Sequence, residues 1–392
     1  DNPPGKLRKV GPSLMRVSEK VSAEWLAKWL RSPRGFRPDT KMPHFYGVSN
    51  NHPSVLPGDQ KKFPDAEIWA VTQYLLDISR EHLQEAAKVQ GDDAAARKND
   101  ADNLAALQAK GKLTDAEATE YDQVQRRIRL RNTPKLEDQT PKGYQANDER
   151  GRLLFIERGC LACHSHKSTE QAQGNPPKIG EALDPLYSPA VHGEAQFGPN
   201  LSQVAEKLGK TKAARMWLTQ WILDPHVHSP RSRMPVTHLE PAQAADIAEW
   251  LLSQKSQDLG SEWNTLAVAQ PDPQTLKDLA KVYLVRMLSK SDMNALLDGK
   301  ELSKTIKNDL PKDEKELADN YSETALKRYL GKKAVGRQGC YACHDIPGFD
   351  NAKPIGVGLN DWGKKPADRL AFEDIANYIK HNYHVVESLT DE

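Results

Sequence analysis

All four cysteines of the chain lie in two copies of one five-residue pattern, Cys-x-x-Cys-His. The first copy contains Cys160, Cys163 and His164, and the second contains Cys340, Cys343 and His344. Two thiols three residues apart on one helical turn can each form a thioether to the same porphyrin, and the adjacent imidazole can bind its iron. The pattern therefore predicts two covalently attached c-type haems.

Other chemistries of paired cysteines fit this spacing less well. A zinc ribbon would bring two Cys-x-x-Cys units within roughly 15–20 residues of each other, whereas these motifs lie 180 residues apart. A thioredoxin-like redox pair expects a βαβ pattern around a single motif, and none is present. Four cysteines in 392 residues do not make a disulfide scaffold, although composition alone does not exclude disulfides.

The composition indicates small polar helical units rather than one large core. Hydrophobic residues make up 38% of the chain and charged residues 28%, with a mean hydropathy of −0.72. A net charge of +1 gives no reason to expect nucleic acid, and no apolar stretch approaches the roughly 18–20 residues of a membrane span. Because haem is attached covalently outside the cytoplasm, we expect a periplasmic or extracellular protein whose secretion signal has been removed or lies upstream.

An internal repeat organises the sequence. A Gly-Pro-x-Leu element, a Trp-x-x-x-Trp helix, a proline-rich Met-Pro loop and a closing helix occur in residues 11–76 and again from Gly198 onward. In both copies the tryptophans are four residues apart and the methionine follows thirteen residues after the second tryptophan. The helix before each Cys-x-x-Cys-His also repeats, and no β pattern appears. We therefore predict an all-α fold of tandem helical domains joined by helical connectors.

The repeat divides the chain into five parts. Residues 146–256 contain every element, whereas residues 1–82 have the methionine loop without a motif and residues 326–392 have the motif without a methionine loop. Residues 83–145 are predicted to form a charged helical hairpin with a capped helix start at Thr114. Residues 257–325 are predicted to contain a helix over 273–289 and then a polar run. Both connectors are interpreted as spacers.

The chain resembles class I cytochromes c, and residues 146–256 match that family's pattern from end to end. In that family the histidine of the motif is the proximal iron ligand and a methionine from a later loop is the distal one. The resemblance implies that His164 and Met234 are the axial ligands of the first haem and that His344 is the proximal ligand of the second.

The residues around Met234 support this role independently. Met234 lies in a polar loop stiffened by Pro230 and Pro235, where an apolar side chain has little to bury it and a soft thioether suits iron. Met42 has the same setting between Pro38 and Pro43. Both are therefore predicted to be distal ligands, Met42 either to the second haem or to a haem supplied elsewhere.

The resemblance also implies groups around the iron. A proline carbonyl accepts the second N–H of the proximal histidine in the family; Pro199 matches this position for His164, Pro12 matches it for a motif absent from the chain, and Val357 stands there in the C-terminal part. Trp217 and Trp221 are predicted to line the haem pocket or to reach a propionate, with ordinary packing as the alternative.

The distal ligand of the second haem is left open by the sequence, with His381 and His384 as weak candidates. Two arrangements compete: an excerpt of a longer polyhaem chain, or an N-terminal part that folds onto the C-terminal part of the same or a neighbouring chain, so that Met42 binds the second haem. Both parts carry a Gly-x-x-Leu element, at Gly11 and again at Gly356, which a simple permutation would not need twice. We therefore favour the excerpt.

The predicted function is electron transfer by a multihaem c-type cytochrome, with haem iron as the redox centre and redox proteins as donors and acceptors. No catalytic residues are assigned. Two alternatives remain: a dihaem peroxidase-like enzyme with an open distal position at the second haem, or the electron-entry subunit of a larger oxidoreductase. Further haem domains on a longer chain or a neighbouring subunit are expected partners. The remaining histidines and methionines are interpreted as surface residues (His166, His192, His226, His228, His238) and core residues (Met287, Met293).

Overall fold

Helices account for the regular structure of the residues that the computed structural model describes, namely 9–89, 94–176, 178, 180, 187–192, 197–254, 261–349 and 352. Within these residues there is no strand, only one isolated bridge between Gln173 and Ser188. The prediction of an all-α fold is confirmed.

The α-helices fall into three groups along the chain. The first group comprises α1 (Ala23–Arg31), α2 (Pro33–Phe36), α3 (Phe63–Val89), α4 (Ala94–Ala109) and α5 (Asp115–Arg131). The second group comprises α6 (Asp148–Glu157), α7 (Val204–Leu208), α8 (Lys212–Leu223) and α9 (Pro241–Ser253). The third group comprises α10 (Ser261–Thr265), α11 (Pro273–Leu284), α12 (Lys290–Leu297), α13 (Lys304–Asp309), α14 (Lys312–Asp319), α15 (Glu323–Gln338) and α16 (Cys340–Cys343). Among the described residues, no helix is both long and apolar enough to cross a membrane.

The part of the chain from 146 to 256, called the middle unit, is built on a close crossing of α6 and α9. A Cβ at Gly151 would lie 2.0 Å from the carbonyl oxygen of Asp246, so only glycine allows the two backbones to approach this closely. Helix α8 packs on α9, and the apolar core contains Phe155, Trp217 and Trp250. Helix packing thus brings the segment before the first motif against the closing helix.

A second crossing of the same kind joins the two ends of the described chain. Helix α15, which precedes the second motif, packs along α3, the closing helix of the N-terminal repeat. A Cβ at Gly331 would lie 2.1 Å from the carbonyl oxygen of Ala70 and 2.6 Å from the Cβ of Tyr74. We call residues 9–89 together with residues 323–349 the split unit. The structure therefore places the described parts of the two partial units against each other, which is the arrangement that the sequence analysis did not favour.

The sequence was misleading because the Gly-x-x-Leu element occurs twice. The structure uses the copy at Gly11, whose backbone N–H donates to the carbonyl oxygen of Cys343 at 2.8 Å, and Leu14, whose N–H donates to that of Asp345 at 2.9 Å. The copy at Gly356 lies outside the described residues.

The first connector contains the predicted helical hairpin, α4 and α5. Thr114 caps α5 in a capping box: its hydroxyl accepts from the Glu117 N–H, and the Glu117 side chain accepts from the Thr114 N–H. Gly111, at φ +66°, lies in the turn where the break was predicted. Helix α3, however, continues to Val89, so the hairpin begins later in the chain than the expected start at residue 83.

The second connector carries more structure than a spacer. The expected helix over 273–289 ends at Leu284, and the run interpreted as polar folds into α12, α13 and α14. Leucines of α11, α12 and α14 form one buried cluster with Ala70 of α3 and Leu330 of α15. Met293 lies in this core as expected, but Met287 is 42% exposed, contrary to its interpretation as a core residue.

Candidate haem-binding sites

The two Cys-x-x-Cys-His motifs begin in the same local geometry. Helix α6 ends before Gly159, at φ +75°, and α15 ends before Gly339, at φ +71°. A left-handed glycine lets the chain turn sharply from the helix into the short helical turn that carries the cysteines. Each motif therefore starts at a fixed position relative to the helix that anchors it.

The histidine of the first motif is oriented by a backbone carbonyl. Nδ1 of His164 lies 2.8 Å from the carbonyl oxygen of Pro199. Because a carbonyl oxygen only accepts, Nδ1 must carry the proton, which leaves the Nε2 lone pair for iron. Burial lowers the pKa of His164, which favours this neutral form.

The histidine of the second motif has the same arrangement. Nδ1 of His344 lies 2.7 Å from the carbonyl oxygen of Pro12, and burial lowers its pKa as well. The supporting backbone bonds also correspond, since Gly11 N–H donates to Cys343 as Gly198 N–H donates to Cys163, at 2.8 and 2.7 Å. The resemblance assigned Pro12 to a motif absent from the chain, but in the structure its carbonyl oxygen accepts from His344.

Each imidazole ring packs closely against a glycine. A Cβ at Gly198 would be 2.4 Å from Cε1 of His164, and a Cβ at Gly11 would be 2.5 Å from Cε1 of His344. Any other residue would push the ring out of position, because no side chain fits in this space. The glycine of each Gly-Pro element therefore fixes the plane of the proximal histidine.

The thiols are available for thioether formation, because all four cysteines are free of disulfides. Together with the imidazole Nε2, each motif offers two thiols and one iron ligand from one turn of chain. These residues fit a covalently bound haem, which would supply one-electron redox chemistry.

The two predicted methionines lie in matching loops. Both are half-buried, and the backbone N–H of each donates to a hydroxyl two residues earlier, Ser232 for Met234 at 3.2 Å and Thr40 for Met42 at 3.3 Å. Met42 packs on the same apolar cluster as Cys340. In the described part of the chain, Met234 is not among the residues of the cluster that contains Cys160.

The tryptophan pairs are also equivalent. Trp217 and Trp221 stack with ring centroids 5.2 Å apart and an interplanar angle of 14°, and Trp25 and Trp29 stack at 5.3 Å and 14°. Trp221 packs on the same core as Cys160, and Trp29 on the same core as Cys340. The indole N–H of Trp29 donates to the sulfur of Met42 at 3.0 Å.

Two histidines interpreted as surface residues are buried. His166 is 1% exposed and packs against Trp250, with ring centroids 4.5 Å apart, and burial lowers its pKa to about 4. His228 is 7% exposed, lies 4.8 Å from the Trp217 ring, and has both ring nitrogens unpartnered among the described residues. The polar sequence around them hid these aromatic neighbours. His381 and His384 lie outside the described residues.

Comparison with known families agrees with the geometry of the middle unit. The cytochrome c family model matches residues 149–255. No curated protein and no solved structure matches the chain. Residues 149–255 are thus similar to the cytochrome c family, and this similarity supports covalently bound haem c with its iron and, in general terms, haem-based electron transfer.

Proposed function

We propose that the chain is a multihaem c-type cytochrome that transfers electrons through two covalently bound haems. The first haem is held by Cys160 and Cys163 with His164 and Met234 as axial ligands. The second is held by Cys340 and Cys343. The observation that carries the proposal is the pair of matched histidine–carbonyl hydrogen bonds, which prepares two imidazoles in the same way.

The second haem is proposed to have His344 and Met42 as its axial ligands. Met42 packs on the cluster that contains Cys340, although the two residues are far apart in sequence. Its sulfur accepts the indole N–H of Trp29 with one lone pair and has a second lone pair for iron. In this proposal the split unit is a complete haem domain assembled from both ends of the described chain, and neither His381 nor His384 is needed.

Ligation by histidine and methionine at both irons suits an electron carrier. It fills both axial positions and raises the reduction potential relative to bis-imidazole ligation. The peroxidase-like alternative rested on an open distal position at the second haem, and the placement of Met42 argues against it. Because haem is attached outside the cytoplasm, we place the protein in the periplasm or outside the cell, with redox proteins as electron donors and acceptors.

The proposal is tested by haem content and by paired methionine variants. The purified protein should contain two haems per chain. Met42→Ala should convert only the second haem to a high-spin form that binds cyanide, and Met234→Ala should do the same only to the first. A protein with one haem, or a wild-type protein with a high-spin haem that turns over hydrogen peroxide, would refute the electron-carrier proposal.

A control variant separates ligand loss from general damage. Met293→Ala removes a methionine from the buried cluster of the second connector, at a distance from both motifs in sequence. It should reduce stability without creating a high-spin haem. If Met293→Ala and Met42→Ala gave the same spectrum, loss of packing rather than loss of a ligand would explain the result.

A further inference from the structure

Each of the two units, the middle unit and the split unit, places a lysine over a tryptophan of the other unit. Nζ of Lys20, from the split unit, lies 4.4 Å from the ring centroid of Trp217 and 5.1 Å from that of Trp221, both in the middle unit. Nζ of Lys207, from the middle unit, lies 5.2 Å from the ring of Trp25 in the split unit. Lys20 therefore covers both tryptophans of the middle unit, and Lys207 covers the first tryptophan of the split unit.

The exchange follows the internal repeat. Lys20 comes six residues after Leu14, and Lys207 comes six residues after Leu201, the corresponding leucine of the middle unit. The two lysines thus hold equivalent positions in the two copies, and they reach equivalent tryptophans. A contact made twice by equivalent residues in opposite directions indicates a pseudo-twofold interface rather than a chance encounter of two surfaces.

The two ammonium groups have no carboxylate partner in the part of the chain that the structure describes. Among the described residues, neither Lys20 nor Lys207 has an acidic oxygen within ion-pair distance. Burial lowers the pKa of Lys207 to about 8, aided by the charge of Arg37. Burial, aided by the charge of Lys207, lowers the pKa of Lys20 well below its ordinary value. Both lysines are half-buried. A partly desolvated cation without a counter-charge is costly, and two that repel each other are more so.

Other cations of this interface are already neutralised. Arg16 pairs with Glu19 at 2.7 Å and Arg37 pairs with Asp39 at 2.9 Å. Of these four cations, Lys20 and Lys207 are therefore the two without a carboxylate partner among the described residues. A cation–π contact with tryptophan compensates part of the lost hydration but brings no negative charge.

Buried donors without a partner among the described residues accompany the lysines, namely a terminal N–H of Arg16 and the indole N–H of Trp25. The neutral ring of His228 adds one N–H donor and one acceptor nitrogen, both unpartnered in the same part of the chain. Arg16 of the split unit lies close to His228 of the middle unit, since its guanidinium donates to the carbonyl oxygen of the preceding residue, Val227, at 3.1 Å. An anionic hydrogen-bond acceptor bound at this interface would neutralise the cations and satisfy the unpaired donors.

We propose that Lys20 and Lys207 are counter-charges exchanged between the two units. Lys20 binds a propionate carboxylate of the haem held by the middle unit, and Lys207 binds one of the haem held by the split unit. This proposal rests on the proposed function, because it requires a haem in each unit. Its consequence is that each unit sets part of the reduction potential of the other unit's haem.

The direction of the effect follows from electrostatics. A positive charge near a haem disfavours the ferric state, which carries one more positive charge than the ferrous state, and so raises the reduction potential. Replacing the lysine by a neutral residue leaves the propionate uncompensated and lowers the potential. A change on the order of tenfold in the redox equilibrium corresponds to ~59 mV for one electron.

The test is a potentiometric titration of the two-haem protein. The two waves are assigned first with Met234→His and Met42→His, each of which should strongly lower the potential of one haem only. Lys20→Gln should then shift the wave of the middle-unit haem to lower potential, and Lys207→Gln that of the split-unit haem. The control is Lys61→Gln, an exposed lysine of the split unit, which should shift neither wave.

Conservative variants distinguish charge from packing. Lys20→Arg should keep the wild-type potential of the middle-unit haem. Lys20→Met, of similar length but neutral, should lower that potential as Lys20→Gln does. If the Lys20→Gln protein fails to accumulate, Lys20→Met is measured in its place. A shift in the lysine's own unit, or shifts no larger than that of Lys61→Gln, would overturn the proposal. Absence of a second haem from the wild-type protein would refute the proposed function instead.

Discussion

The middle unit and the split unit hold their motifs with the same contacts but with different chain connections. The hydrogen bond from His164 to Pro199 spans 35 residues of sequence, whereas the equivalent bond from His344 to Pro12 spans 332. The glycine crossings, the stacked tryptophans and the methionine loops correspond one to one. The comparison teaches that this arrangement is defined by its contacts, and that the order of its segments along the chain is secondary.

Closing the longer connection carries a modest entropic cost. For a flexible chain the cost rises by about 0.6 kcal/mol with each doubling of length, so the longer closure costs about 2 kcal/mol more. The second connector offers compensation, because its leucines extend the interface of α3 and α15 into a larger core. The middle unit closes locally, with Leu136 of the first connector packed against its core.

The largest expected effect comes from the two glycine crossings. Gly331→Ala places a methyl group against the Ala70 backbone, which cannot move without separating α15 from α3. We expect a loss of about 4 kcal/mol in the free energy of unfolding, at the upper end for overpacking. The second haem should be lost or converted to a high-spin form, and denaturant titration followed at the haem absorption measures both.

Two variants make this test specific. Gly151→Ala should damage the middle unit in the same way and spare the second haem. Gly336→Ala lies in the same helix as Gly331, but its Cβ would be 3.9 Å from the nearest side-chain atom, so it should be neutral or slightly stabilising. If Gly331→Ala behaved as Gly336→Ala does, the two ends of the chain would not form one unit.

The local features of the two units could be predicted from sequence, but their partners could not. Spacing identified the Cys-x-x-Cys-His motifs, the matching loops around Met42 and Met234 and the capping box at Thr114, because these depend on residues close together in the chain. The pairing of α3 with α15 depends on residues 261 positions apart, Ala70 and Gly331, and periodicity shows only that each helix has an apolar face.

The interface residues were missed for the same reason. Lys20 and Lys207 look like solvated charges in sequence, since the tryptophans that they cover belong to the other unit. Their equal distances from Leu14 and Leu201 were a signal within the repeat that could have marked them. His228 was hidden by its polar neighbours, although it occupies the same offset from Trp217 as Phe36 does from Trp25.

The next largest effect tests the role of the second connector. Leu284 is fully buried in the cluster that also contains Ala70 and Leu330, so Leu284→Ala should cost about 3 kcal/mol. The loss should appear in the unfolding of the split unit and leave the middle unit unchanged. The comparison variant, Leu107→Ala in the hairpin, lies outside that cluster and should not affect the second haem. Equal effects of both variants on that haem would contradict the assignment.

A smaller effect is expected from replacing the buried carboxylates that join the packed segments of each unit through hydrogen bonds. Glu67, 3% exposed, accepts from the Tyr46 hydroxyl at 2.9 Å and from Arg337, thereby joining the two segments of the split unit. Gln338 also donates to Glu67, at 3.1 Å. Glu67→Ala leaves these three donors without their partner and should cost about 2 kcal/mol, since Arg337 is partly solvated. Glu67→Gln keeps an acceptor for Tyr46 and should cost less.

The middle unit provides the counterpart. Asp246, 2% exposed, accepts from the Tyr144 hydroxyl and the Asn147 N–H, both at 2.7 Å. Asp246→Ala should destabilise the middle unit and leave the second haem intact, which thermal unfolding monitored separately at each haem would show. Loss of both haems in either variant would mean that the two units unfold as one.

The smallest effect concerns the hairpin, which belongs to neither unit. Thr114→Ala removes the cap of α5 and should cost about 1 kcal/mol locally, visible as faster hydrogen exchange in α5 with no change at either haem.

The same cap is sensitive to acid. Hydrogen bonds from Lys110 and Thr114 lower the pKa of Glu117 to about 2 from its ordinary 4.5. A depressed carboxyl pKa stabilises the folded hairpin above the ordinary value, and this contribution disappears as the pH falls from 4.5 towards about 2. Exchange in α5 should therefore accelerate over that range in the wild type and less so in Thr114→Ala, whereas acid-insensitive exchange in the wild type would show that the capping box does not hold α5.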